Sequence, residues 1–204
     1  FGPERLLGGM AFSLGLILVI VGGAELFTGN NLIVFAWSDG KITAGALLRN
    51  WALVYLGNFV GASALSVAVH LSGIHGFADG AVAATAMRVA EAKVALAPME
   101  AFVRGVLCNV LVCLAVWLCF AARSVVSKIF AIIFPVSAFV ALGFEHSVAN
   151  MYLIPAGWFA GSELITLSGY GANLFMVTIG NIVGGGLLVA MVYWLVYGKD
   201  GKTG

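Results

Sequence analysis

Apolar runs of about 20 residues, the length a helix needs to cross hydrocarbon, make up most of this chain, with only short polar turns between them. In hydrocarbon there is no water to satisfy backbone N–H and C=O groups, so each run must close its hydrogen bonds within itself, as a helix does. Composition points the same way. Of 204 residues, 62% are hydrophobic and only 9% are charged, against about 25% charged in a soluble domain, and the mean hydropathy is +1.07. The chain therefore reads as an all-α, multi-pass membrane protein.

Five spans are visible, at about residues 6–27, 49–71, 99–122, 128–160 and 172–196. Residues 72–97 differ: "AVAATAMRVAEAKVAL" is Ala-rich and moderately charged, which predicts a helix outside the hydrocarbon. The whole of 1–204 reads as one transmembrane domain. It divides into a first half (about 1–72), a linking helix (about 78–97), a second half (about 98–197) and a polar tail (198–204). Lys41, Arg49, Arg123, Lys128, Lys199 and Lys202 collect on one side, against Arg5, Arg88 and Lys93 on the other. Excess Lys and Arg marks the cytoplasmic side, so the C-terminus is expected there. "FGPERLL" lacks the layout of a signal peptide, and without an initial Met the chain is expected to be a fragment or a processed form.

Two spans are interrupted by polar residues, and the interruptions resemble each other. "GGAELFTGNNL" (Gly22 to Leu32) and "LGFEHSVANM" (Leu142 to Met151) each carry Gly, a spacer, Glu, and Asn five residues on. A second pair, "YLGNFVGA" from Tyr55 and "TIGNIVGG" from Thr178, follows in the same order, with Glu25 to Asn58 spanning 33 residues and Glu145 to Asn181 spanning 36. Repeated halves with one broken helix each point to a transport site at their interface. The second half has three spans and the first has two, so symmetry predicts a further helix before residue 1. An odd number of spans per half makes the repeats inverted.

The breaks hold the candidate chemistry. A charged carboxylate at mid-membrane costs at least about 2.5 kcal/mol, so Glu25 and Glu145 need a reason to be there. They are expected to accept hydrogen bonds from loop amides and pin each break, with proton relay as the alternative. His146 can hold or release a proton near its ordinary pKa of about 6.5, and Thr28 offers a hydroxyl in the matching break. Phe12, Leu16, Leu26 and Phe139 lie within a few helical turns of the breaks, where spacing alone suggests ordinary packing. Cys108, Cys113 and Cys119 share one apolar stretch and read as small packing residues. His70 and His75 could serve as haem ligands of a redox-enzyme anchor, but no opposing span supplies a matching histidine other than His146. A net charge of +1 gives nucleic acid no basic stripe to bind. No hydrolase, Walker or dinucleotide fingerprint is present, so neither an enzyme nor a cofactor is expected.

"GGAELFTGNNLIVFA", "NWALVYLGNFVGA", "RGVLCNVLVCLAVW", "FVALGFEHSVANM" and "VTIGNIVGGG" resemble the signature segments of the formate/nitrite transporter family, over about residues 6–197. The resemblance implies an aquaporin-like fold of six helices with the second and fifth broken, homopentamers with one pore per protomer, and a bacterial-type inner membrane. Here the first of the six helices is absent. It further implies that His146 is the central pore histidine and Thr28 the loop threonine opposite it. Phe12 and Phe139 correspond to the periplasmic constriction, Leu16 and Leu26 to the cytoplasmic one, and Lys93 to a vestibule lysine that draws in anions. Asn109 and Asn150 match polar positions whose role stays open. Formate channels of the best-known kind have Asp where this chain has Glu25, and nitrite-type members have Glu. The expected partners are protons and small monovalent anions, with formate first and nitrite or hydrosulfide as alternatives. A neutral-solute channel of aquaporin type is disfavoured, because no Asn-Pro-Ala pair occurs.

Overall fold

The computed structural model describes residues 2–198. Phe1 and residues 199–204 lie outside them, and with them Lys199, Lys202 and most of the expected tail. The described residues form α1 (Pro3–Gly22), α2 (Phe27–Asn30), α3 (Val34–Ser38), α4 (Ala44–Leu71), α5 (Ala81–Val94), α6 (Pro98–Ala121), α7 (Val125–Ala141), α8 (Ser147–Phe159) and α9 (Leu167–Ile182). A 3₁₀ turn joins α2 to α3, and α9 continues as wider, π-type winding to Gly198. Four helices are long and apolar enough to cross a membrane: α1, α4, α6 and α9 with its continuation. The fifth crossing is divided between α7 and α8.

Helix boundaries follow local chemistry more closely than hydropathy. The apolar run continues to Phe27, yet α1 ends at Gly22 because Gly23 turns left-handed (φ 76°) and returns its N–H to Val19. Gly143 does the same after α7 (φ 72°), and a side chain at either position would be strained. α4 starts five residues ahead of its predicted span because the Thr43 hydroxyl accepts from the Ala46 amide. Thr166 caps α9 in the same way through Gly169. A Ser124/Ser127 capping box opens α7, and Pro3 and Pro98 occupy the first turns of α1 and α6, where a missing N–H costs nothing.

α1 packs along α7, α6 along α9, and α8 against both α4 and α5. α6 is the central post, and its Cys108, Cys113 and Cys119 are buried free thiols. It meets α9 almost backbone to backbone. A Cβ on Gly180 would lie 2.3 Å from the Phe102 carbonyl oxygen, and one on Gly184 would lie 2.2 Å from that of Val106. The outside is apolar, with Leu53, Leu56, Val60, Phe120, Phe134 and Phe175 all exposed, while Asn31, Asn109, Asn150 and Asn181 are fully buried. That is the distribution expected of a chain with lipid outside and a polar seam within. Tyr55 and Thr178, which hold the same position in the two repeats, share a 3.0 Å hydrogen bond.

Overpacking a close-packed contact costs about 1–3 kcal/mol or more. Gly180→Val is therefore expected to lower the thermal midpoint of the detergent-solubilised protein clearly. Gly171→Val, on the same helix with nothing within 4 Å, is expected to leave it within error.

Candidate functional site: two opened helices and the ring between them

Each break exposes backbone groups that a continuous helix would satisfy, and each is closed by an asparagine from a neighbouring helix. In the first half, Asn58 Oδ1 accepts from the Phe27 amide (2.9 Å) and its Nδ2 donates to the Glu25 carbonyl (3.0 Å). In the second, Asn181 Oδ1 accepts from the Ser147 amide (2.9 Å) and its Nδ2 donates to the Glu145 carbonyl (3.0 Å). The glutamates do not take these amides, contrary to the sequence expectation. Their carboxylates accept instead from Asn30 and Asn150, five residues on. Each of these in turn donates to another asparagine, Asn30 to Asn50 (2.9 Å) and Asn150 to Asn173 (2.8 Å). The inverted repeat is thus written in hydrogen bonds, partner for partner.

Three features break the symmetry. First, α6 has no counterpart in the first half among the described residues, so only the second clamp gains its help. Gly105 O accepts from Asn181 (2.8 Å), and Asn109 Nδ2 donates to the carbonyls of Asn181 (2.7 Å) and Thr28 (3.2 Å). Asn109 therefore ties the two breaks together, and Cys113 Sγ adds a contact to the same Thr28 carbonyl at 3.4 Å. Second, Lys93 Nζ bonds both oxygens of Glu145, at 3.0 and 3.1 Å, with side chains only 13% and 6% exposed. Lys93 is thus held by a buried carboxylate. Third, position 26 in one repeat is Leu and its match, position 146, is His.

His146 caps α8: its Nδ1 accepts from the Ala149 amide (3.1 Å). Since Nδ1 is an acceptor, the neutral ring carries its proton on Nε2, which lies 2.9 Å from Thr28 Oγ1. Both residues are buried. Phe139 lies face to face with His146, at a centroid distance of 6.0 Å. Phe12 meets both rings edge on, at 5.8 and 6.5 Å. Leu16 and Leu26 line a cavity of about 410 Å³ that also touches Glu25, Gly29 and Asn30. Two aromatic rings thus pack on one member of a buried hydrogen-bonding pair. His70 is far from this centre, packed on Phe159 and His75. Phe159 ends α8 and His146 caps its start, about 20 Å apart along the axis, too far for one haem iron to join His70 and His146.

Comparison with known proteins agrees with this architecture. Residues 2–195 match the Formate/nitrite transporter family. The chain belongs to that family. It is 45% identical to the formate channel FocA of Escherichia coli K12, over 98% of this chain and 76% of that protein. It is 39% identical to the formate channel FocA of Haemophilus influenzae, over 94% and 74%. A solved pentameric formate channel with formate bound superposes with a TM-score of 0.86 at 41% identity, covering 95% of this chain and 83% of that one. A solved ion channel of the same family gives 0.87 at 35% identity, over 96% and 79%.

Of the residues that the resemblance implies for the pore, Thr28 bonds His146, Phe12 and Phe139 pack on the His146 ring, and Leu16 and Leu26 line the neighbouring cavity. Asn50 and Asn173 were missed, although each stands eight residues before the Asn of its GN motif, a signal that would have extended the repeat.

Leaving a buried polar group unpaired costs about 1–3 kcal/mol. Asn181→Leu strands Ser147 N–H and the carbonyls of Glu145 and Gly105, whereas Asn58→Leu strands two groups at a more exposed site. The first is therefore expected to destabilise the purified protein more than the second, read as thermal midpoints in detergent. Lys93→Met leaves a buried carboxylate without its cation, a loss of about 3–5 kcal/mol, and Lys93→Met with Glu145→Gln is expected to recover most of that loss.

Proposed function

We propose that this chain is a formate channel of the inner membrane, working as a homopentamer with one pore per protomer and with its C-terminus in the cytoplasm. The observation that carries the reading is the buried Thr28–His146 contact packed under an aromatic pair, with Leu16 and Leu26 in the neighbouring cavity that Gly29 also lines. The names of its relatives, formate channels at up to 45% identity, point to formate ahead of nitrite or hydrosulfide.

Taking a carboxylate-sized anion into a dry, low-dielectric constriction costs on the order of 20 kcal/mol by idealised solvation. The neutral acid avoids nearly all of that cost. In the proposed cycle, formate enters past Phe12 and Phe139 and displaces Thr28 from the imidazole. It then accepts hydrogen bonds from His146 Nε2–H and Thr28 Oγ1–H. The N-terminal end of α8, which His146 caps, turns its positive end toward the same point. A proton from water on the entry side, either taken first by the imidazole to give imidazolium and then passed on, or delivered directly, neutralises the anion. Formic acid then leaves past Leu16 and Leu26. In this scheme Glu145, Asn150, Asn109 and Lys93 hold the α8 end in place, and Glu25 with Asn30 does the same on the other side.

The test is uptake into proteoliposomes at about pH 5 and about pH 7.5. Wild-type protein is expected to carry formate at a rate that changes between the two, and His146→Phe to lose most of that pH dependence. A His146→Phe protein with wild-type rates and pH profile would refute the proton step. Glycerol uptake without uptake of any of the three anions would remove the anion reading altogether.

A further inference from the structure

The mouth on the α1 N-terminal side of the Phe12 ring carries two guanidiniums to which the scheme above gives no role. Arg5 and Phe12 are seven residues apart on one face of α1, which places Arg5 about 10 Å further out along the axis. Gly143 follows Phe139 at the end of α7, which runs alongside α1. A Cβ on Gly143 would lie 3.1 Å from a terminal nitrogen of Arg5 and 4.0 Å from one of Arg104. The two side chains therefore converge over the Gly143 turn, from α1 and from α6.

Arg104 also holds this turn. Its Nη1 lies 3.5 Å from the Gly143 carbonyl oxygen, and its own carbonyl accepts from the Glu145 amide at 3.2 Å. Its acidic partner is Glu100, four residues back on α6, at 3.2 Å, with side chains 38% and 56% exposed. An ion pair that exposed contributes little, so an incoming anion can compete for the guanidinium. Lys93 offers much less at this entrance, because both oxygens of Glu145 already neutralise it.

We propose that Arg5 and Arg104 form an anion-capture site over the Gly143 turn, just outside the aromatic ring. It accepts small monovalent oxyanions, with planar carboxylates favoured because the guanidinium fork matches their two oxygens. The site raises the local anion concentration before the anion meets Phe12, and it takes no part in the proton step. It rests on the channel reading above.

The experiment is the concentration dependence of formate uptake into proteoliposomes at low and high ionic strength. It compares wild type, Arg104→Gln, Arg104→Lys and Arg5→Gln. Gln keeps a donor for the Gly143 carbonyl but drops the charge. Arg104→Gln and Arg5→Gln are each expected to raise the half-saturating formate concentration about fivefold, with the plateau rate within about twofold of wild type. Arg104→Lys is expected to stay within about twofold throughout. Salt is expected to slow wild-type uptake at low formate, through screening, and to slow the Gln variants less. Unchanged half-saturation and salt dependence in both Gln variants would overturn the site. A fall in plateau rate alone would overturn it too, by reducing Arg104 to a clamp for the turn. Should Arg104→Gln fail to fold, Arg5→Gln decides the matter from α1. Wild-type protein that carries no small anion at all removes the channel reading, and this site with it, an outcome distinct from normal flux with indifferent variants.

Discussion

An opened helix in a low-dielectric interior is the problem around which this structure is arranged. Breaking α1 from α2 and α7 from α8 frees backbone amides and carbonyls with no water to receive them. A single asparagine per break resolves it, because one carboxamide supplies an acceptor for the amide and a donor for the carbonyl, as Asn58 and Asn181 do. Once the strands of the break are fixed, a side chain carried on the break is fixed as well. His146 can aim Nε2 at Thr28 because its other nitrogen is occupied at the start of α8.

The close approach of α6 and α9 serves the same end. Glycines at 105, 180 and 184 let the two backbones nearly touch, which brings Asn109 and Gly105 within reach of Asn181 and Thr28. With bulkier residues there, the helices would stand further apart and these side chains would fall short of the breaks. Packing with small residues, often read as a stability device in membranes, here also sets how far an amide has to reach.

Much of this was legible in the sequence. The spans, both breaks and the repeat follow from apolar run length and from two recurring motifs, and the residues proposed for the pore follow from the resemblance those motifs carry. Other parts were not legible, for physical reasons. Hydropathy does not register a left-handed glycine, so α1 appeared to run on to Phe27. The bonds from Thr28 to His146 and from Lys93 to Glu145 join residues 118 and 52 positions apart, and no local pattern encodes which helices will meet. The glutamates were expected to hold loop amides because carboxylates do so commonly. The asparagines of neighbouring helices reached those amides first, leaving the carboxylates to Asn30, Asn150 and Lys93.

The two halves match in hydrogen bonds but differ in charge. Glu145 has Lys93 beside it, whereas Glu25 is exposed and, among the described residues, is held by Asn30 without a cation. Arginines thus mark the α1 N-terminal end and an unpaired carboxylate marks the other, so a scaffold that is very nearly the same viewed from either end carries an electric dipole along its length.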